Sequence, residues 1–270
     1  MPDLILKIMK YNTDKTYLQI VESYSHLANQ IIKRFENIIE ETNDKNIQKI
    51  DTQRNVAYIF ETENEKLIIK IYFHGGLVRF FLPAKWFLKN RGLSEFLFCF
   101  HNLTNLDFIP QYIGALWNKR FFFYITGTIS KYLPNTIDLR EVITSPKISR
   151  TTKKTILAKV GMTIKKMHEH GIYHRDLHLK NILIQQNNTE NEEYKIFIID
   201  FDKASIKKNL GLFWRTSNLL RLKRYFIKNK LPIEYFNFIL EGYNIGKLSI
   251  TARILSLPHL LWAKLKSYVQ

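Results

Sequence analysis

The sequence has almost no cysteine and no long apolar run. Its single cysteine, Cys99, excludes an intramolecular disulfide and fits a reducing compartment. No segment approaches the ~18–20 consecutive apolar residues that span a bilayer, and the first residues lack the apolar stretch of a secretory signal. There is no internal repeat and no low-complexity tract. The single cysteine and the lack of a secretory signal and of a bilayer-spanning run together predict a cytoplasmic protein.

Acidic residues are scarce relative to basic ones. The chain has 24 Asp and Glu against 41 Lys and Arg, which gives a net charge of +17 over 270 residues. Such an excess implies an anionic partner, which could be nucleic acid, a membrane surface or a phosphorylated substrate. Zinc-ligand spacing, a helix-turn-helix pattern and aromatic sheet motifs are all missing, which argues against nucleic acid. No obligate protein partner is predicted.

The basic excess is concentrated near the C-terminus. Between positions 204 and 270, twelve Lys and Arg residues stand against two Glu. A helix is predicted over Leu257–Val269, where apolar residues and the basic pair Lys264 and Lys266 would allow contact with an anionic membrane surface. Packing of the same apolar stripe against the protein core is the favoured alternative.

The most informative segment is HRDLHLKN, from His174 to Asn181, which is followed nineteen positions later by Asp200 in the string DFD. An Asp and an Asn five positions apart on a loop, with a second Asp after a later strand, are typical of ATP-dependent phosphoryl transfer. Asp176 would orient the acceptor hydroxyl and take its proton, while Asn181 and Asp200 would hold Mg²⁺. The alternative is an ordinary capped turn, which a lone His-x-Asp would usually be.

The flanking sequence supports a phosphotransferase site. Upstream, a helix is predicted from the apolar spacing of Leu157, Val160, Ile164 and Met167, and it should stop near Gly171. Downstream, the strings NILI and YKIFII predict two strands around the polar turn 185–193. Such a hairpin would bring Asn181 and Asp200 together, in the element order of a kinase C-lobe.

The N-terminal half is predicted to be a nucleotide-binding lobe. Val56–Phe60 and Lys66–Phe73 read as paired strands, and Lys70 lies where a kinase places the lysine that contacts ATP phosphates. Lys66 is a rival on the same face; apolar neighbours on both sides favour Lys70. A helix over Lys89–Leu103 would supply Glu95 as the partner of Lys70.

A strand over Arg120–Thr126 would end this lobe, so we place the lobes at residues 1–125 and 126–270.

Two kinase features are missing. The segment Gln48–Asn55 has no glycine, so phosphate binding by a glycine-rich loop is in doubt, and no Ala-Pro-Glu string follows Asp200.

Four strings together resemble the 3-deoxy-D-manno-octulosonic acid (Kdo) kinase family within the lipopolysaccharide kinases. They are IKIYFHGGL, HRDLHLKN, IDFDKA and the segment from Trp214 through NLLRL, and the resemblance runs from about Asn55 to Lys230. His178 and Asp202, in place of the Lys and Gly of protein kinases, also point to small-molecule or glycolipid kinases.

The resemblance implies an α+β, bilobal protein-kinase-like fold, with a small antiparallel sheet lobe and a mainly helical C-terminal lobe. It also implies phosphorylation of the Kdo sugar of Kdo-lipid A with ATP and Mg²⁺, by a peripheral protein at the cytoplasmic face of the inner membrane. Lys70, Glu95, Asp176, Asn181 and Asp200 take the roles given above.

The resemblance leaves other site residues with two interpretations each. Arg175 would order the loop or meet a substrate phosphate, with ordering favoured. His178 would face substrate or be an ordinary loop histidine, and His174 would be structural. Asp202 would help hold metal or pair with Lys203. Lys180 and Lys203 are further substrate-binding candidates.

Three rival functions stay open. A heptose kinase or another sugar kinase of the same fold would differ only in its acceptor pocket. A protein kinase is disfavoured by His178 and by the short segment after Asp200. A non-catalytic pseudokinase module is suggested by the absent glycine loop, but the presence of Lys70, Asp176, Asn181 and Asp200 argues against it.

Overall fold

The computed structural model describes residues 7–42, 47–51, 56–73, 87–186 and 194–244. The chain divides into two compact units, the first formed by residues 1–106 and 110–132 and the second by residues 107–109 and 133–270. The division falls seven residues later than the predicted boundary at Thr126. Thr126 lies inside a strand that continues to Lys131, because Gly127–Lys131 pair with the neighbouring strand.

The first unit contains a seven-stranded antiparallel sheet in the order β1-β2-β6-β7-β5-β4-β3. Its strands are β1 Ile8–Asn12, β2 Thr16–Val21, β3 Ile47–Asp51, β4 Val56–Glu61, β5 Lys66–Ile71, β6 Tyr112–Arg120 and β7 Phe123–Lys131. Two helices accompany the sheet, α1 Ala28–Ile39 and α2 Arg91–Leu103.

The β4–β5 hairpin was predicted within two residues at each end. Along β5, Leu67, Ile69 and Ile71 are fully buried, and the two lysines fall on the opposite face. This period-two alternation is what a strand with one buried face requires. The glycine-free segment before β4 includes residues 52–55, which lie outside the described residues.

The prediction of one continuous strand over Arg120–Thr126 is wrong. β6 ends at Arg120, the chain reverses at Phe121, and β7 begins at Phe123, which pairs with Arg120. Phe121 has a φ of 53°, which side chains other than Asn and Asp rarely adopt. No Gly, Asn or Pro marks this turn, so the aromatic run looked like uninterrupted strand.

The N-terminal fifty residues, which carried no prediction, add β1, β2, β3 and α1. Helix α1 packs an apolar stripe into the core of the unit through Ile31, Ile32, Phe35 and Ile38. The same core takes in Ile20 of β2 and Phe96 of α2. Burial of such a stripe is the main source of stability for a helix in a small domain.

The second unit is mainly helical. Its helices are α3 Leu139–Thr144, α4 Arg150–Glu169, α5 Leu212–Lys228 and α6 Ile233–Tyr243, and its short strands are β8 Thr136–Asp138, β9 Ile172–Tyr173, β10 Ile182–Gln186, β11 Tyr194–Ile198 and β12 Ser205–Ile206. β10 pairs with β8 and β11, and β12 pairs with β9, all antiparallel. None of the helices in the described ranges is long and apolar enough to cross a membrane.

Helix α4 follows its predicted pattern, with Leu157, Val160, Ile164 and Met167 all buried. It ends at Glu169, and Gly171 has the positive φ of 72° that glycine tolerates best. The predicted hairpin is also observed, as β10 and β11. The predicted terminal helix Leu257–Val269 lies outside the described residues.

Candidate active site

The loop between β9 and β10 is organised by His174. The ring is buried, its Nε2 lies 2.9 Å from the carbonyl oxygen of Ile199, and its Nδ1 lies 3.2 Å from the backbone nitrogen of Asp176. Burial lowers the pKa of His174, and the hydrogen bond that Nδ1 accepts from the Asp176 backbone requires an unprotonated Nδ1. A neutral ring that donates from Nε2 and accepts at Nδ1 satisfies both contacts. His174 thus has the structural role predicted for it.

Asn218 of α5 holds the same loop from the other side. Its Oδ1 accepts from the backbone N–H of His174 at 3.3 Å, and its Nδ2 donates to the His174 carbonyl oxygen at 2.6 Å. Oδ1 also lies 3.0 Å from Nε2 of His168, whose Nδ1 lies 2.8 Å from the Tyr243 hydroxyl. Burial lowers the pKa of His168 to about 4, which keeps this ring neutral as well.

The sequence interpretation missed Asn218 as a positioning residue. The available signal was a polar residue on the buried face of α5, beside Leu219 and Leu222. Buried amides are almost always hydrogen-bonded, so a partner was to be expected. Its identity depends on a contact between residues 44 positions apart, which local patterns do not reveal.

The structure brings Asp176, Asn181 and Asp200 into one small network. Nδ2 of Asn181 donates to the carbonyl oxygen of Asp176 at 3.0 Å. The carbonyl oxygen of Asn181 accepts from the N–H of Ile199, the residue before Asp200, also at 3.0 Å. Neither contact uses a carboxylate, so the carboxylates of Asp176 and Asp200 do not hold this part of the loop together.

Asn181 and Asp200 fit a magnesium ion. The Asn181 amide uses its nitrogen on the Asp176 carbonyl, so the end that remains for a cation is Oδ1, a hard oxygen ligand. Asp200 has a φ of 72°, in the left-handed region where Asp and Asn are the most tolerated side chains. Mg²⁺ is commonly held by one or two protein oxygens together with substrate phosphates, so two such ligands are sufficient.

The other predicted site residues, on this loop and after β11, have different surroundings. Arg175 is exposed, and in the described part of the chain no contact supports the loop-ordering role favoured for it. His178 stacks on Tyr225 of α5 with ring centroids 5.6 Å apart. Lys203 is exposed, and Asp202 is half-buried. Lys180 is half-buried within the short 3₁₀ turn before β10.

A second predicted cluster lies in the first unit. Nζ of Lys70 is 3.3 Å from Oε2 of Glu95, whose side chain is completely buried. The hydroxyl of Tyr72 donates to the same carboxylate, and that of Tyr112 donates to Oε1 at 2.8 Å. Glu95 is therefore fully satisfied as an anion. Lys70 keeps 20% of its side chain exposed, so its ammonium can reach a ligand.

Lys66, the rival candidate, lies in a different environment. It pairs with Glu61 at the start of β5, and more than half of each side chain is exposed to solvent. An exposed pair of this kind contributes little to stability and positions nothing. The predicted pair of Lys70 and Glu95 is therefore formed, whereas contact of Lys70 with ATP stays a prediction.

The model of the lipopolysaccharide kinase (Kdo/WaaP) family matches residues 40–243 of the chain, which include both clusters. The chain belongs to this family. It is 30% identical to the 3-deoxy-D-manno-octulosonic acid kinase of Vibrio cholerae over 72% of this chain and 79% of the relative. The corresponding Vibrio vulnificus enzyme is 28% identical, over 71% and 80% of the two chains. The resemblance stated from the sequence is confirmed.

Solved structures agree on the fold of this kinase. WaaP in complex with acyl carrier protein superposes with a TM-score of 0.58 at 16% identity, covering 93% of this chain and 98% of that one. The Rio2 kinase complex with ADP, Mg²⁺ and phosphoaspartate from Chaetomium thermophilum gives 0.50 at 13% identity, covering 96% and 82%. The α+β protein-kinase-like fold is thus confirmed. The chain is a lipopolysaccharide core kinase that transfers a phosphoryl group to a sugar hydroxyl, and membership of the family implies ATP as the donor.

Proposed function

We propose that this kinase phosphorylates a hydroxyl of the Kdo sugar in Kdo-lipid A, using ATP with Mg²⁺. The observation that carries the proposal is the loop geometry, in which His174 and Asn218 hold Asp176 next to Asn181 and Asp200. The Kdo kinases among its relatives supply the acceptor.

In the proposed mechanism, the Asp176 carboxylate accepts a hydrogen bond from the acceptor hydroxyl and takes its proton as the new O–P bond forms, while the bond from the γ-phosphorus to the bridging oxygen breaks and ADP leaves. Asn181 and Asp200 would hold Mg²⁺, which neutralises charge on the transferred phosphoryl group. Lys70, held by Glu95, would contact the ATP phosphates. The half-buried carboxylate of Asp176 can meet a bulky acceptor without rearrangement of the loop, because its backbone is fixed on both sides.

We further propose that the kinase works as a peripheral protein at the cytoplasmic face of the inner membrane. Two facts support this. The net charge of +17 favours an anionic surface, and the proposed acceptor is itself a membrane lipid that bears phosphates and a carboxylate.

The direct test is transfer of labelled γ-phosphate from ATP to Kdo-lipid A, run beside a heptose-containing core acceptor and a generic protein. We expect label on Kdo-lipid A, dependent on Mg²⁺ and lost on chelation. Label only on the heptose acceptor would keep the kinase and reassign its substrate. No label on any acceptor would favour the pseudokinase interpretation.

A further inference from the structure

Arg221 of α5 lies beside the carboxylate of Asp176. Its Nη1 is 3.8 Å from Oδ1 of Asp176, which is too long for a hydrogen bond. The two side chains keep 38% and 35% of their surface exposed. The guanidinium is therefore close to the proposed catalytic base but does not hydrogen-bond to its carboxylate, and part of the Arg221 side chain faces solvent.

One donor of this guanidinium is unsatisfied. The Nε of Arg221 is buried and finds no hydrogen-bond partner within the described ranges. A buried donor without an acceptor is unfavourable, and native proteins rarely retain one unless a water, an ion or a ligand completes it. The missing partner must be an acceptor, because arginine only donates.

Arg224 adds a second cation three residues along the same helix. Its side chain is half-buried, and no carboxylate of the described segments pairs with it. Burial lowers the pKa of the Arg224 guanidinium, and the charge of Arg221 lowers it further. Two guanidiniums and one carboxylate leave a net positive charge at this point of the surface, which an anion would neutralise.

The position of the missing anion restricts its source. A group bound to Arg221 lies within a few ångströms of Asp176, and therefore of the hydroxyl that Asp176 activates. In an acidic sugar the carboxylate and the hydroxyls share one ring, whereas the lipid phosphates lie on other sugars. The planar fork of a guanidinium also matches a carboxylate through two parallel hydrogen bonds.

We propose that Arg221, with Arg224 beside it, binds the carboxylate of a sugar-acid acceptor and so places the sugar hydroxyl against Asp176. This subsite rests on the proposed function for the identity of the acceptor. It gives the kinase a means of choosing acidic over neutral sugars. His178, stacked on Tyr225 of the same helix, would form a flat wall next to the sugar ring.

The test compares Arg221→Gln with Arg221→Lys and with Lys228→Gln, an equal loss of charge at an exposed position of the same helix. Each variant is assayed on Kdo-lipid A and on its carboxylate methyl ester. We expect Arg221→Gln to raise the KM for Kdo-lipid A about 10- to 100-fold, the range for a charge-assisted hydrogen bond. The KM for ATP should stay within about twofold. Arg221→Lys should recover part of the loss, and Lys228→Gln should behave as wild type.

The ester separates a carboxylate contact from a general loss of fit. For wild type, esterification should raise the acceptor KM by about as much as Arg221→Gln raises the KM for the free acid. For Arg221→Gln, esterification should raise the acceptor KM little further. If the increases in acceptor KM caused by Arg221→Gln and by esterification multiplied as independent effects, the subsite would be overturned. An effect confined to the KM for ATP would overturn it as well. Binding of the two acceptors without ATP gives the same comparison even if no transfer occurs, so failure of the subsite and failure of the proposed function are distinguishable.

The tip of the β6–β7 hairpin in the first unit is apolar and exposed. Phe121 and Phe122 form this tip and are 89% and 82% exposed. Leu88 is 68% exposed and lies next to the same hairpin, because Phe87 pairs with Tyr124 of β7. Large apolar side chains clustered at an exposed tip usually mark an interaction site.

Exposed basic residues flank this apolar tip. Lys119 precedes it on β6, and Lys89 follows Leu88. An apolar point with cations beside it is the pattern of a segment that inserts into the headgroup region of an anionic bilayer. The two lysines would meet the phosphates of anionic lipid while the apolar side chains enter the bilayer, and the hairpin is narrow enough to insert as a single point. We propose that the aromatic tip anchors the kinase in an anionic membrane.

The aromatic tip is tested by partitioning onto vesicles of phosphatidylglycerol and phosphatidylethanolamine. In the double variant Phe121→Asn and Phe122→Ser, Asn tolerates the positive φ, so the turn is kept. We expect at least ~10-fold weaker partitioning, and weaker binding of wild type as salt rises. Phe213→Ser, an exposed phenylalanine on α5, is the control and should bind as wild type. Unchanged partitioning of the double variant would overturn the proposal. So would size-exclusion chromatography that finds wild type as a dimer and the double variant as a monomer, because the tip would then bind a second copy of the chain.

Discussion

Replacing Asp176 with alanine is expected to lower the kcat of phosphoryl transfer by at least ~10²-fold, because hydroxyl orientation and proton transfer would both be lost. The loop itself should survive the change. Its contacts to His174 and Asn181 are made by the backbone of Asp176, which alanine retains. The carboxylate is also partly exposed, so truncation buries no unsatisfied group. Initial rates on Kdo-lipid A, with thermal unfolding to verify the fold, measure both effects.

Asp107→Ala is the matched control for this prediction. Asp107 is an exposed carboxylate that accepts a hydrogen bond from Lys166 at 2.7 Å, a contact that lowers the pKa of the carboxyl. Loss of an exposed pair changes stability by less than ~1 kcal/mol. Asp107→Ala should therefore retain wild-type rates. Transfer by Asp176→Ala at rates near wild type would remove Asp176 from the mechanism.

Gly242→Ala is expected to destabilise the second unit, although alanine is normally the better helix former by about 1 kcal/mol. A Cβ on Gly242 would lie 2.6 Å from the carbonyl carbon of Ala158 in α4, and one on Gly161 would lie 2.6 Å from the backbone nitrogen of Tyr243 in α6. The two helices touch through main chain at these glycines, so neither side can move a side chain to make room. We expect the free energy of unfolding to fall by about 1–3 kcal/mol, and by more for Gly242→Val.

Gly211→Ala provides the contrast. It precedes α5, and a Cβ built there meets no described atom within 4 Å. Its effect should stay below about 1 kcal/mol, since alanine there loses only the small advantage of glycine at a helix start. Denaturant unfolding followed by circular dichroism measures both variants. A Gly242→Ala protein at least as stable as Gly211→Ala would show that α4 and α6 are not in backbone contact.

Local sequence patterns were sufficient for several elements of each unit. β4 and β5 alternate with period two, α4 repeats its apolar residues with helical spacing, and the β10–β11 hairpin has a polar turn between two apolar runs. The reversal at Phe121 was missed because its neighbours are aromatic and β-prone. Strands β1 and β2 were missed because β2 joins the sheet by pairing with β6, about a hundred residues away in sequence, and the edge strand β1 joins it through β2.

The residues of the candidate site also fall into those that local sequence patterns could predict and those that depend on tertiary contacts. Asp176, Asn181 and Asp200 could be predicted because their spacing is fixed by one loop and one hairpin, and the Lys70–Glu95 pair because each lies on a recognisable element. Asn218 and Arg221 could not be assigned roles, since α5 reaches the loop only through the tertiary fold. Their segment contributed only to the family resemblance and to the basic excess near the C-terminus.

The φ of 72° at Asp200 narrows the residues that position 200 can accept. On backbone grounds, Gly, Asn and Asp are the side chains that enter the left-handed region at little energetic cost. On chemical grounds, a magnesium site in a protein usually includes at least one carboxylate; because the proposed ligand Asn181 is a neutral amide, that carboxylate would have to come from position 200, which leaves Asp and Glu. The two sets share one member. Conformation and chemistry, acting independently, thus leave aspartate as the single amino acid of the twenty that suits this point of the chain.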